Sequence, residues 1–324
     1  MPDLAVRAGR TETTDPATPE PAVPGGDLEG LRRAFRSMGR VVVAFSGGAD
    51  SAFVARVATD ALGPDRVVCA TAVSPSLAPE ELADCRRLAA EWGLRLVEVA
   101  TDELADPAYS ANDGSRCYHC KASLMEALGP ILASEAVAGD PAGSGGSAGP
   151  AGSEGTAPAP TVVLGVNLDD LGDHRPGQQA AAQRGAVFPL VDAGFTKADV
   201  REWSRRMGLR TWDKPAAACL ASRVPYGTAV TLGTLRSVAE AESALRVLGL
   251  TQLRVRHYGD TARIEVPAGD LARVVTLREQ VTAAVHGAGY RYVTLDLDGF
   301  RSGNLNDALG APGTPLGSPD GGAR

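Results

Sequence analysis

Aromatic residues are scarce in this 324-residue chain, at 5%, and cysteine, histidine and methionine number only five, four and four. No run of about 18 consecutive apolar residues occurs, so neither a membrane span nor a membrane partner is expected. Positive charge is also short: 32 Lys and Arg face 39 Asp and Glu, a formal net charge of −7. Proteins whose main partner is nucleic acid usually carry a basic stripe, so no nucleic-acid partner is expected. Residues 2–26 have no apolar centre of the signal-peptide kind and are rich in Pro, Thr and Glu. They read as part of a disordered tail (1–26), and a cytoplasmic location follows as the expectation. An odd number of cysteines points to reduced thiols or metal ligands rather than to a disulfide framework.

Aliphatic residues, by contrast, are ample and periodic. Residues 28–38 form an amphipathic helical pattern, and 41–45 is a run of five apolar residues that reads as a buried strand. Helical (52–62, 80–92) and strand (66–72, 94–99) patterns then alternate. This order predicts an α/β domain over 27–229 with a doubly wound parallel sheet, its ligand at the strand C-termini. A helix ends near residue 134. Residues 136–160, almost wholly Gly, Ala, Ser and Pro, read as a flexible insertion ahead of a strand at 161–165. Past residue 230 the pattern becomes a helix (232–248), a strand pair (252–257 and 263–266), a helix (271–286) and a strand (290–297). That predicts a smaller α+β domain over 230–308, for substrate or oligomer contacts, and a disordered tail over 309–324.

Two clusters carry the chemistry. The first is Ser46-Gly47-Gly48-Ala49-Asp50-Ser51, between a strand and a helix. Two glycines let the chain turn with backbone N–H groups exposed at a helix N-terminus, an arrangement suited to phosphate. Ser46 and Ser51 add hydroxyls, and Asp50 suits a metal ion or a ribose. No Gly-Lys-Ser/Thr follows, so this is not the Walker loop. It resembles the loop of the PP-loop ATP pyrophosphatases, the adenine nucleotide alpha hydrolase-like fold, whose members cleave ATP between the α and β phosphates. The second cluster is Arg116-Cys117-Tyr118-His119-Cys120-Lys121, with Cys219 further along. Cys69 and Cys85 read as core thiols. Three converging thiolates admit a zinc ion completed by His119, a 4Fe–4S cluster with one open iron, or inert thiols; ligand counting favours the cluster.

With these motifs in place the chain resembles the LarE family, the ATP-dependent sulfur transferases of nickel-pincer cofactor synthesis. The resemblance spans about residues 28–308. It rests on SGGADS (46–51), RCYHCK (116–121), GVNLDDLGDHRPG (165–177), FPLVDAGFTKADVR (188–201), ACLASRVPYGT (218–228), LRVRHYGDTARIE (253–265) and RYVTLDLDGFRSGNLND (291–307). It implies adenylylation of the carboxylates of pyridinium-3,5-biscarboxylic acid mononucleotide by ATP and Mg²⁺, then displacement of AMP by sulfur. The family has two sulfur strategies. In one, a loop cysteine gives up its own sulfur. In the other, three cysteines hold a 4Fe–4S cluster, and Cys117, Cys120 and Cys219 match this type. Cys219 as a sacrificial donor remains the alternative.

The resemblance also implies roles for single residues. Ser46, Gly47, Gly48, Asp50 and Ser51 would hold the ATP phosphates and Mg²⁺. Asn167, Asp170, Arg175 and Lys197 would stand beside the nucleotide, although Asn and Asp also favour turns and lysines are mostly solvated. Arg223 would neutralise a substrate carboxylate or phosphate. Arg254 and Arg256 alternate along a strand and so share a face. With Arg301, and with Glu265 nearby, they would form a phosphate pocket, since the guanidinium fork suits phosphate. A homo-oligomer, hexameric in the family, is expected. His257 and His286 read as structural. The rival enzyme is a PP-loop tRNA thiolase, which the acidic balance and the lack of a second CxxC disfavour.

Overall fold

The computed structural model describes residues 24–138, 159–172 and 175–301. Most of the expected N-terminal tail, the centre of the expected insertion, and the expected C-terminal tail lie outside the described residues. So do Asp173, His174 and the end of the last motif.

The elements in chain order are α1 (Leu28–Met38), β1 (Val41–Ala44), α2 (Ala49–Leu62), β2 (Val67–Val73), α3 (Pro79–Trp92), β3 (Leu96–Ala100), α4 (Pro107–Ser110), α5 (Arg116–Ala127) and α6 (Gly129–Ala138). They continue with β4 (Thr161–Val163), α7 (Pro176–Gln183), α8 (Pro189–Asp192), α9 (Lys197–Arg206) and α10 (Leu232–Val247). The last are β5 (Arg254–Tyr258), β6 (Thr261–Glu265), α11 (Leu271–Thr276), α12 (Arg278–Gly287) and β7 (Tyr292–Leu295).

The first sheet is parallel throughout, in the order β3-β2-β1-β4. Its hydrophobic run works because successive strand residues face opposite sides and both sides are covered. Val41 and Val43 pack with Leu31 and Phe35 of α1, Phe53 and Val57 of α2, Leu88 of α3 and Val200 of α9. Val42 instead joins Val68, Ala70, Leu124 and Met125 of α5 and Ala181 of α7. Each fully buried Val, Leu or Phe contributes about 1.5–3 kcal/mol before ordering entropy is subtracted. The doubly wound expectation therefore holds. Because β2 and β3 lie to one side of β1 and β4 to the other, the order reverses at β1, which opens a crevice beyond the C-termini of β1 and β4.

Element ends differ from the sequence reading in physically simple ways. Helix α2 starts at Ala49 rather than at residue 52, with Gly48 as its cap and acidic Asp50 in the first turn, where the helix dipole favours negative charge. Helix α6 continues to Ala138, beyond the expected end near residue 134, and Glu135 on it is buried between Arg40 (3.3 Å) and Arg95. The expected helix over 271–286 is broken at Leu277 (φ −90°, ψ 17°).

The second sheet has the order β5-β6-β7, antiparallel then parallel. Val255 and Ile264 pack with Ala241 and Leu245 of α10 and Val281 and Val285 of α12. A further cluster, Tyr109, Leu220, Ala221, Val224, Val230, Leu235 and Val238, joins α10 to the loops of the first sheet. Among the described residues no helix is long and apolar enough to cross a membrane.

Candidate active site

The crevice at the sheet reversal is a cavity of about 490 Å³. One wall is the loop after β1, with Ser46, Gly48, Asp50 and Ser51; the other is the chain after β4, from Leu164 to Asn167. The loop is braced internally. The Ser46 N–H donates to Ser51 Oγ (3.2 Å), the two hydroxyls pair at 3.0 Å, and Ser51 Oγ donates to Gly48 O (3.2 Å). Gly47 has φ +67°, and a Cβ there would lie 2.9 Å from Cys85 Sγ. At Gly165 a Cβ would come within 2.8 Å of the Asp50–Ser51 peptide. Only glycine lets the chain leaving β4 press against the start of α2.

Polar side chains converge on Asp50. Asn167, 1% exposed, donates Nδ2–H to Asp50 Oδ1 (3.2 Å), and Lys197 Nζ pairs with Asp50 Oδ2. Lys197 opens α9, whose Thr196/Asp199 capping box fixes the helix start, and the Lys197 N–H donates to Asp169 Oδ2 (2.7 Å). Asp170 accepts from the Asn167 N–H (3.1 Å) and pairs with Arg175 (2.7 Å). The expected nucleotide residues are thus gathered at one crevice. Lys121, Gln178 and Ala216 join its lining.

The cysteine region is assembled by long-range ties. Cys117 is exposed, whereas Cys120 and Cys219 are half-buried and pack against one cluster with Tyr109 and Leu220. Burial first, then the charge of Cys219, pushes the Cys120 thiol up to about 12, and Cys117 adds to it. Arg116, 4% exposed, donates to Ala221 O (2.9 Å) and to Asn112 Oδ1, and stacks over Tyr226 at 5.5 Å. Burial opposes its charge, the thiols Cys219 and Cys117 favour it, and its pKa ends above the ordinary value. Asn112, fully buried at φ +56°, donates to Pro225 O and Thr228 O, both at 2.8 Å. Arg116 and Asn112 thereby clasp the Cys219 loop to the CxxC helix. His119 turns instead to Asp106 (2.7 Å). Among the described residues no group of three His, Cys, Asp or Glu side chains would hold a single metal ion. None of the three cysteines lines either cavity.

A second cavity, about 190 Å³, lies on the other side of the 214–218 loop, and Ala216 lines both. Lys214, Arg223, Arg246, Arg254 and Glu81 line it, with Phe300. Arg223 pairs with the buried Glu242 (2.8 Å) and donates to Ala218 O (2.7 Å); Arg246 pairs with Glu242 (2.9 Å) and Glu80 (3.3 Å). Arg254 makes no ion pair among the described residues. It sits over Phe300 (4.5 Å) and donates to Arg301 O (3.5 Å). Burial, and the like charges of Arg223 and Arg256, lower its pKa to about 10. Arg256 and Glu265 do not line the cavity: they pair with each other at 3.0 Å, 2% and 0% exposed in their side chains. Arg301 is exposed and pairs with Asp298 (3.2 Å).

Against known families, the NAD synthase model matches residues 31–117, which run from α1 to Cys117. A protein of Synechocystis described as uncharacterized is 42% identical over 285 residues, covering 87% of this chain and 97% of that protein. The pyridinium-3,5-bisthiocarboxylic acid mononucleotide synthase of Lactiplantibacillus plantarum is 36% identical over 279 residues, covering 86% of this chain and 93% of that enzyme. The chain belongs to the LarE family of PP-loop enzymes. A further relative, an uncharacterized protein of Methanocaldococcus jannaschii, is 24% identical over 272 residues, covering 84% of this chain and 94% of that protein.

Several residues of this LarE-family site escaped the sequence reading. Lys214 donates to Gly47 O (3.1 Å), Glu81 (2.8 Å) and Asp84 (2.7 Å). Burial alone would lower its pKa; the pairs with Asp84 and Glu81 outweigh that and raise it. Burial likewise opposes ionisation of Asp84, but hydrogen bonds from Lys214 and Arg210 prevail and bring its pKa to about 2. Asn112, Arg116 and Gly165 were equally unassigned. The signal for Gly165 was its place at the end of the expected strand 161–165; Lys214 and Asn112 had none, because their partners are remote in the chain.

Proposed function

We propose that this protein uses ATP to adenylylate the carboxylates of pyridinium-3,5-biscarboxylic acid mononucleotide and replaces AMP with sulfur, giving the bisthiocarboxylic acid mononucleotide. One observation carries this reading: two cavities of different charge character, one near-balanced and one lined mainly by cations, meet at the loop that leads into Cys219. In the first, free N–H groups at the start of α2, the Ser46 and Ser51 hydroxyls and Lys197 suit the ATP phosphates. Asp50, which lines the same cavity, would hold Mg²⁺ and so neutralise phosphate charge there; oxygen donors are what that ion takes. In the second, Arg254 is a buried cation awaiting an anion, and a phosphate or carboxylate of the mononucleotide answers that need.

The chemistry runs in two displacements. A substrate carboxylate oxygen attacks the α-phosphorus of ATP, the bond to the bridging oxygen breaks, and pyrophosphate leaves. Sulfide sulfur then attacks the activated acyl carbon and AMP leaves with the former carboxylate oxygen. The first step turns a poor electrophile into a good one. Lys197 and the loop amides stabilise charge on the departing pyrophosphate.

For sulfur supply, three thiolate donors suit a soft metal centre, and the family resemblance points to a cluster rather than to one ion. Zinc needs its donors about 2.3 Å from a single point, an arrangement the described residues do not form. Cysteines on a four-iron cluster each take a different iron and stand further apart. Cys117, Cys120 and Cys219 would hold a 4Fe–4S cluster. When bound, such a cluster supplies an open iron that carries an extra sulfide for transfer. Arg116 places a permanent positive charge beside this anionic site and fixes the Cys219 loop against it.

The test is incubation with the pyridinium dicarboxylate mononucleotide, Mg·ATP and sulfide, read by mass spectrometry. Products should gain sulfur in place of oxygen while the protein mass stays constant. A protein that loses the mass of hydrogen sulfide would put Cys219 in the sacrificial role. In Cys219→Ala, substrate-dependent pyrophosphate release should persist while sulfur transfer is lost; loss of both in a folded variant overturns the assignment. A homo-oligomer, hexameric by family resemblance, belongs to the same proposal, with light scattering as its check.

A further inference from the structure

Lys214 joins the phosphate loop to the sulfur-bearing loop through three contacts that use all three ammonium hydrogens: Gly47 O (3.1 Å), Glu81 Oε2 (2.8 Å) and Asp84 Oδ2 (2.7 Å). The first contact is the informative one. The Gly47 carbonyl and the Gly48 N–H belong to one planar trans peptide, so gripping the oxygen fixes where the N–H points. Gly48 lines the first cavity and caps α2, and its N–H, which donates to Ser46 Oγ over a long 3.4 Å, stands beside the anion-binding groups. Gly47 itself sits at φ +67°, in a region where a glycine backbone is otherwise free to swing.

The other end of Lys214 is equally constrained. Its N–H donates to Thr211 O (3.2 Å), and its carbonyl accepts from Arg201 Nη2 (3.4 Å) on α9, the helix that opens with Lys197. Pro215 follows with its fixed φ. Ala216 then lines both cavities, and Arg223 holds the carbonyls of Ala218 (2.7 Å) and Cys219 (3.2 Å). A shift of the Gly47–Gly48 peptide therefore has a short covalent route to Cys219, five residues long, through the exposed segment 215–218.

We infer that Lys214 is a positioning residue that couples nucleotide occupancy of the first cavity to the placement of the Cys219 loop, so that sulfur is presented when the adenylate is formed. This rests on the reading of the first cavity as the ATP site and of Cys219 as part of the sulfur centre. A lysine that merely filled space would leave the two loops independent.

The test is amide hydrogen exchange of the full chain, with and without Mg²⁺ and α,β-methylene-ATP. In the wild type the nucleotide should slow exchange over 46–52 and also over 216–222, by about fivefold or more in each, as local opening becomes rarer. In Lys214→Met the effect over 46–52 should remain and that over 216–222 should vanish. Asp84 keeps Arg87 (3.1 Å) and Arg210 (2.8 Å) in this variant, so its charge stays paired. The milder Glu81→Gln, which keeps the side-chain shape and weakens one of the three contacts, should show an intermediate response over 216–222. In turnover, thiocarboxylate formed per pyrophosphate released should fall about tenfold in Lys214→Met, since small misplacements of reacting groups cost this much or more. An unchanged response over 216–222 in Lys214→Met overturns the inference, as does a wild-type response in Glu81→Gln should Lys214→Met fail to fold. A wild type that responds over 46–52 but not over 216–222 removes this inference alone. No response over 46–52 removes the nucleotide site and the coupling together.

Discussion

The two cavities share Ala216 as a wall yet differ in charge. In the first, Asp50, Asp169 and Asp170 face Lys121, Arg175 and Lys197. In the second, Lys214, Arg223 and Arg246 are paired with Glu81, Asp84, Glu80 and Glu242, and Arg254 is left as a cation with no ion pair among the described residues. A near-balanced site suits a ligand that brings its own cation, as a magnesium–triphosphate complex does. A site with excess positive charge suits an anion that arrives bare. The difference also separates cations that serve the fold from those left for a ligand. Arg223 and Arg256 are each matched to a buried glutamate, and Arg254 is not. Breaking a buried pair leaves a charge uncompensated, whereas removing an unpaired buried cation relieves one.

That contrast gives its sharpest test at neighbouring positions on β5. Arg256→Met removes one of the two arginines that pair with the fully buried Glu265, leaving Arg263 (2.9 Å), and should lower the unfolding free energy by about 3 kcal/mol, measured by denaturant titration. Asp50→Asn should lower kcat/KM for pyrophosphate release about 100-fold with the fold retained, since it removes the carboxylate proposed to hold Mg²⁺ beside the phosphates. Arg254→Met should leave stability close to wild type and raise KM for the mononucleotide about 30-fold, or about 2 kcal/mol, with KM for ATP unchanged. If Arg254→Met instead raised KM for ATP, the division between the cavities would be broken. The smallest effect concerns the wall between them. Asp84 has its pKa lowered from 3.8 to about 2, so the unfolded chain binds its proton first as pH falls. Its contribution to stability is complete above about pH 4 and is lost as pH drops toward 2. Asp84→Asn should flatten the stability-versus-pH curve in that window, monitored by circular dichroism.

The parts that were legible in the sequence are those whose determinants are contiguous. Five apolar residues, a glycine turn and a helical run place the strand, loop and helix at 41–62 without reference to the rest of the chain. The CxxC pair reads in the same local way, although the helix that carries it, α5, was not expected there. What was hidden depends on pairs remote in sequence. Lys214 reaches Gly47 across 167 positions, and Asn112 reaches Pro225 across 113. Strand alternation rightly put Arg254 and Arg256 on one face, since side chains repeat every second residue. It could not say that Glu265 and the Ser222 carbonyl (2.8 Å) would cover Arg256 while Arg254 stayed open to the cavity. That depends on the β5–β6 register and on a loop from another part of the chain.

Gly165 has a consequence of its own. There the missing methyl group is what allows two main chains to touch, with the Asp50–Ser51 peptide 2.8 Å from where a Cβ would stand. Such a seam has no intermediate setting. Even alanine would wedge the first turn of α2 away from β4 and carry the aspartate with it, so tolerance at this position should be a step rather than a slope, with every replacement failing alike whatever its polarity.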